Sequence, residues 1–255
     1  MRRKTAVLVL LAVTALLAAG VARAITFGEP DGNAHPYVGL VALYSGETYT
    51  SFRCSGVLIS PRVVLTAAHC VADSTANRAR VHLAPTVTDD LAAPSAGLPG
   101  TVTAHPSFTG LAALPNTSDL AVVVLDAPVT LPRYASLAKV GALDGAEGSH
   151  LTVVGYGLQG IKPRVLDEKT RFFATPKVTD LTGKLTAGWN VKTTNDRRNG
   201  GTCFADSGAP LLLAGTDTVV ALNSFSTNPN CKGSDYSYRV DTEYAQEWIA
   251  GFVAG

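Results

Sequence analysis

The chain has 255 residues, 46% of them hydrophobic and 16% charged, with a formal net charge of +1. That composition suits a chain that buries a core; it excludes disorder, and it leaves no basic face for a nucleic acid. The length allows one large domain or two small ones, and 24 Gly, 14 Pro and recurrent Val and Thr favour an all-β chain with many turns.

Met1-Arg2-Arg3-Lys4 is a basic lead, residues 6–21 are almost wholly apolar, and Ala22-Arg23-Ala24 forms a small-x-small cleavage site. Residues 1–24 therefore read as a secretory signal peptide. The alternative, an uncleaved anchor, is disfavoured because the apolar run is short for a span of ~20 residues. A cut after Ala24 leaves 231 residues and exposes Ile25. Losing Arg2, Arg3, Lys4 and Arg23 takes the net charge from +1 to −3. The expected product is secreted and extracellular, with no stable membrane association.

Strand-like runs follow at 38–43, 56–59, 63–66, 80–83, 120–125, 151–156, 171–175, 210–213, 218–225 and 237–240. Turn signals such as Ser60-Pro61, Asp144-Gly145 and Asn199-Gly200-Gly201 separate them. Residues 88–100 and 126–148 read as loops, the second where a link between two halves would fall. No helical run alternates with the strands, which argues against a parallel α/β sheet. One helix is expected at the C-terminus, capped by Asp241 or Thr242, with Tyr244, Trp248 and Phe252 as a packing stripe.

Cys54, Cys70, Cys203 and Cys231 all lie in the exported part, and an even count there predicts two disulfides, with three pairings open. The spacings contain no C-x-x-C, so a structural zinc site is not expected.

Three segments carry chemistry: Leu65-Thr66-Ala67-Ala68-His69-Cys70, then Asp119 opening the apolar run 120–125, then Cys203-Phe204-Ala205-Asp206-Ser207-Gly208-Ala209-Pro210. A serine hydroxyl is a poor nucleophile until a base takes its proton. Imidazole suits that task near neutral pH, and a buried carboxylate fixes its tautomer. Asp126 also flanks the apolar run, but beside Pro128 it suits a surface turn. His35, His82, His105 and His150 have no such motif and read as packed or surface residues.

These segments, in the order His–Asp–Ser, resemble the motifs of chymotrypsin/trypsin-family serine proteases, and His105-Pro106 and Gly155-Tyr156-Gly157 are similar marks. The resemblance covers about residues 25–253. It implies two packed antiparallel β-barrels with a C-terminal helix, the first over about 25–130 and the second over about 131–255, forming one protease domain from 25 to 255. It implies a serine endopeptidase with His69, Asp119 and Ser207 as catalytic residues. Backbone N–H groups of Ala205 and Ser207 would form the oxyanion hole, and disulfides would join Cys54 to Cys70 and Cys203 to Cys231. It further implies a salt bridge between an Ile25 ammonium and Asp206, although Thr26-Phe27 departs from the family's usual Val-Gly. A specificity pocket would be formed by Gly201, Thr202, Ser224, Phe225, Ser226 and Asp235. The neutral Gly201 favours an apolar residue before the scissile bond, whereas Asp235, if it faces the pocket, would favour a basic one. A polypeptide substrate and proteinaceous inhibitors are the expected partners of a monomer, with no metal or organic cofactor. The Ala-rich signal and the Asp31-Gly32-Asn33-Ala34-His35-Pro36 opening are similar to secreted bacterial members.

Ala205 stands where the family usually has Gly, which opens the alternative of a protease-like binding protein with weak or lost catalysis. An esterase on another fold is disfavoured by the absence of Gly-x-Ser-x-Gly.

Overall fold

The structure is a computed structural model that describes residues 25–253 except 94, 162 and 163; the expected signal peptide lies outside the described residues. Six strands form a closed antiparallel barrel: β2 (Val38–Ser45), β3 (Thr48–Leu58), β4 (Val63–Thr66), β5 (Arg78–His82), β6 (Leu98–Ala104) and β7 (Ala121–Leu125), ordered β2-β3-β4-β7-β6-β5. Closure leaves no free edge. Its interior is packed by Leu40, Val57, Leu65, Val81, Val123 and their neighbours, all buried.

A second, barrel-like sheet combines β1 (Glu29–Pro30) with β8 (Ser136–Leu137), β9 (Leu151–Gly155), β10 (Phe172–Ala174), β11 (Val178–Asp180), β12 (Asn190–Asn195), β13 (Pro210–Leu213), β14 (Thr218–Ser226) and β15 (Gly233–Arg239). Its order is β1-β10-β9-β13-β14-β15-β12-β11, with β8 pairing parallel to β14. Thus residues 29–30, although N-terminal, pair with the second sheet. The same crossing is made by Arg171, whose fully buried guanidinium bonds Asp31 Oδ2 (2.8 Å), the Val38 carbonyl (2.8 Å), the Leu83 carbonyl (3.2 Å) and the Tyr156 hydroxyl (3.1 Å).

Among the described residues two helices complete the fold, α1 (Ala68–Ser74) and α2 (Glu243–Val253), with a 3-10 turn at Leu111–Ala113. Thr242, not Asp241, caps α2: its Oγ1 accepts the Ala245 N–H at 3.3 Å, while Asp241 is taken by Arg239 and the Leu143 N–H. Trp248 packs on His105, ring centroids 4.8 Å apart, which docks the helix on the first barrel.

Several expectations need correction. Strand β3 starts at Thr48 rather than 56, because Thr48–Arg53 is a partly exposed hairpin arm without an apolar run. The loop expected over 88–100 ends at Leu98. Pro99-Gly100 resembles a turn, yet Pro99 faces Arg80 in the ladder and its carbonyl accepts the Asp126 N–H at 2.9 Å. Strand β12 escaped because it is polar, although Asn190, Val191, Thr193 and Asn195 are buried. Helix α1, seven residues long, is too short to show a period.

Candidate active site

Strand β4 runs straight into Ala67 and the first turn of α1, so His69 sits at the rim of the first barrel. Asp119, fully buried, lies two residues before β7, which pairs with β4. Neighbouring strands therefore bring the two side by side across 50 residues of sequence. Asp119 Oδ1 accepts the His69 backbone N–H at 2.8 Å, and Oδ2 faces His69 Nδ1 at 2.8 Å. Ser224 Oγ also donates to Oδ2. Burial alone would lower the His69 pKa, but the Asp119 charge and hydrogen bond outweigh it and raise it above the ordinary 6.5. Burial works the other way on Asp119. There the imidazole and the donated hydrogen bonds hold the carboxyl below the usual carboxylate range.

Ser207 comes from the second sheet, on the turn before β13, and its Oγ lies 2.7 Å from His69 Nε2. Ser55 N–H donates to the Ser207 carbonyl at 2.8 Å and ties that turn to the first barrel. Gly208, at φ +78°, packs so closely that a Cβ there would fall 2.3 Å from Thr66 Oγ1 and 2.5 Å from the Ser55 carbonyl. Any side chain would push the serine off its base. Ala205 takes φ +69°, the left-handed form that glycine usually supplies. Its carbonyl accepts Ser55 Oγ at 3.1 Å. Among the described residues, neither the Ala205 nor the Ser207 N–H has a protein acceptor. Two donors beside a serine are what a developing oxyanion requires.

Asp206 is fully buried and accepts N–H bonds from Gly157 (2.8 Å) and Cys203 (2.9 Å). Burial nonetheless pushes its carboxyl up to about 7. A Cβ at Gly157 would fall 2.2 Å from Asp206 Oδ2, so this glycine makes room for the acid. Ile25 is buried in the core of the second sheet; its nitrogen is an amide in the continuous chain, and no Ile25–Asp206 ion pair is present among the described residues.

A cavity of about 360 Å³ opens beside His69 and Ser207, lined by Thr202, Ser224, Phe225 and Ser226. Gly201 and Asp235, expected at its base, stand behind the lining. Asn195 fills the space beside Gly201, and Asp235, 1% exposed, accepts the Thr202 N–H at 2.7 Å and Asn195 Nδ2 at 3.0 Å. Phe225 stacks flat on Tyr236, with ring centroids 4.8 Å apart. The disulfides Cys54–Cys70 and Cys203–Cys231 are both formed; the first closes beside His69 and the second braces the Ser207 turn against the cavity wall.

A family profile described as trypsin matches residues 25–249. The chain belongs to the trypsin family. Curated relatives of this trypsin-family chain include brachyurin from Leptuca pugilator, 29% identical over 204 residues, which is 78% of this chain and 86% of the relative. Snake venom serine protease HS114 from Bothrops jararaca is 26% identical over 246 residues, 91% and 88% of the two chains. Among solved structures, HL collagenase superposes with a TM-score of 0.73 over 91% of this chain and 99% of that chain, at 20% identity, a likeness of fold. These relatives are animal proteins and lend nothing to the bacterial likeness of the opening segment.

Two contacts at the candidate site had no signal in the sequence. Ser55 holds the Ala205 carbonyl and donates its N–H to the Ser207 carbonyl, yet only its place after Cys54 distinguishes it. Ser224 appeared as a pocket residue, and its bond to Asp119 depends on a contact 105 residues away in sequence.

Proposed function

We propose that this trypsin-family protein is a secreted serine endopeptidase acting through an acyl-enzyme. The observation that carries the reading is the unbroken line from Ser207 Oγ to His69 Nε2 (2.7 Å) and from His69 Nδ1 to Asp119 Oδ2 (2.8 Å). In this reading His69 Nε2 takes the Ser207 proton as Oγ attacks the peptide carbonyl. The carbonyl oxygen gains charge and is held by the N–H groups of Ala205 and Ser207. Collapse breaks the C–N bond, with His69 returning its proton to the leaving amine. A water molecule then repeats the sequence on the ester, and Asp119 keeps the imidazole in the right tautomer throughout.

The alternative of a protease-like binding protein rested on Ala205. That residue takes the backbone form the oxyanion loop needs, which supports the enzyme. Among the described residues no acidic side chain lines the cavity beside Ser207, which supports an apolar residue before the scissile bond. Polypeptides are the substrates, proteinaceous inhibitors would occupy the same cleft, and a monomer suffices because one chain supplies every group. No helix among the described residues is long and apolar enough to cross a membrane. Signal cleavage after Ala24 would free the Ile25 ammonium to pair with Asp206.

Labelling with a serine-directed fluorophosphonate, compared with Ser207→Ala, tests the reading. Ser207-dependent labelling is expected, and its absence in correctly folded protein refutes the enzyme. A peptide panel tests the pocket: preference for Phe over Arg before the cut is expected, and the reverse order rejects apolar specificity. N-terminal sequencing of active protein checks Ile25.

A further inference from the structure

A second cavity, about 460 Å³, opens among Thr26, Phe27, the loop carrying Arg197 and the 228–232 turn. It shares Asn228 and Cys231 with the cavity beside Ser207, so one turn of chain forms a wall of both. Its chemistry differs from that neighbour. Arg197 and Lys232 line it, and no acidic residue among the described residues does. Neither cation belongs to any ion pair among the described residues. Arg197 lies 5.9 Å over the Phe27 ring, and the acid beside it in sequence, Asp196, is occupied by the N–H groups of Arg198 (2.8 Å) and Asn199 (2.9 Å).

Asn228 Oδ1 accepts the Asn230 N–H at 2.8 Å, which leaves its amide NH₂ to donate. Guanidinium, ammonium and amide together make a set of donors, and such a set recognises a compact oxyanion.

We infer that this cavity binds a compact divalent oxyanion, phosphate or sulfate, either free or carried on a larger molecule, and that its occupancy adjusts the cavity beside Ser207 through the shared 228–231 wall. The coupling is direct because Cys231, at φ +51°, is bonded to Cys203, four residues before Ser207. This second effect rests on the peptidase reading, whereas the binding does not.

The test uses full-length Ser207→Ala protein, titrated calorimetrically with inorganic phosphate, then sulfate, at constant ionic strength set by chloride. Saturable one-to-one binding with a Kd of about 1 mM is expected, weakened on the order of tenfold by Arg197→Ala or Lys232→Ala. O-phosphoserine binding more tightly than inorganic phosphate identifies a group carried on a larger ligand; equal or weaker binding identifies the free ion. Failure to saturate, or affinity unchanged in the Arg197→Ala/Lys232→Ala double variant, overturns the site. In protein with Ser207 intact, saturating phosphate is expected to shift KM for a peptide substrate, and linkage requires the substrate to shift phosphate affinity by the same factor when KM reports binding. Saturable phosphate binding with an unmoved KM overturns the coupling. Absent Ser207-dependent labelling would remove the peptidase reading while leaving the calorimetric result intact.

Discussion

Ser224 and His69 meet on one atom: the Ser224 hydroxyl donates to Asp119 Oδ2, the oxygen that also faces His69 Nδ1. With the His69 backbone N–H on Oδ1, the buried carboxylate is gripped at both oxygens. Asp119→Asn presents an amide NH₂ or a neutral acceptor to the imidazole and is expected to lower kcat by about 10⁴. Ser224→Ala removes one of the three donors and is expected to lower it on the order of tenfold. Steady-state kinetics on a peptide substrate checks both; equal losses would show that Asp119 works only as a packing residue.

The pH profile follows from the same contact. In the proposed mechanism the working base is neutral His69, and the Asp119 charge, outweighing burial, raises its pKa above 6.5. Activity is therefore lost as pH falls through a midpoint above 6.5. In Asp119→Asn the charge is gone and burial remains, so the residual activity should have its acid limb displaced downward. A kcat/KM profile checks this, and an acid limb below 6.5 in the unaltered protein contradicts it.

Asp206 makes stability depend on the state of Ile25. In a chain uncleaved before Ile25, the Asp206 carboxyl is pushed up to about 7 from 3.8. Between those values the folded state holds a proton the unfolded chain has released, so stability falls as pH rises from about 4 to 7. Thermal unfolding of the uncleaved chain should show this loss, and Asp206→Asn should abolish it. Protein starting at Ile25 should resist it as well, because an ammonium beside the carboxylate favours the charged form.

Ala205 gives a test on the backbone itself. At φ +69° an L-residue carries strain of about 1–2 kcal/mol, part of which glycine returns through its looser unfolded state. Ala205→Gly is expected to stabilise by up to about 1 kcal/mol and to leave kcat within a few-fold. Ala205→Pro cannot take a positive φ and lacks the N–H, so kcat should fall by about 10²–10³. Denaturant unfolding and kinetics on the two variants separate strain from donor.

The sequence was most readable where one short segment carries its own meaning. Thr66-Ala67-Ala68-His69-Cys70 marks a strand end, a candidate base and a half-cystine together, and the apolar runs over 63–66 and 210–213 coincide with β4 and β13. Polar elements carry no such run: β12 is buried through Asn190 and Asn195, whose amides donate to carbonyls outside the strand at Pro115, Leu185 and Thr202, and β6 passes through Pro99-Gly100. The pocket was half legible. Thr202, Ser224, Phe225 and Ser226 line it, but the orientation of Asp235 is set by Asn195 and the Thr202 N–H, contacts that pattern alone does not reveal.

Each disulfide closes within one half of the chain, so no covalent bond besides the main chain joins the halves. The buried Arg171 guanidinium does join them, through the Asp31 carboxylate and the Val38 and Leu83 carbonyls of the first half. A nick in the connecting segment between Asp126 and Ser136 should therefore leave a two-chain protein that stays assembled through reduction of both cystines, and separately made fragments should complement one another on mixing.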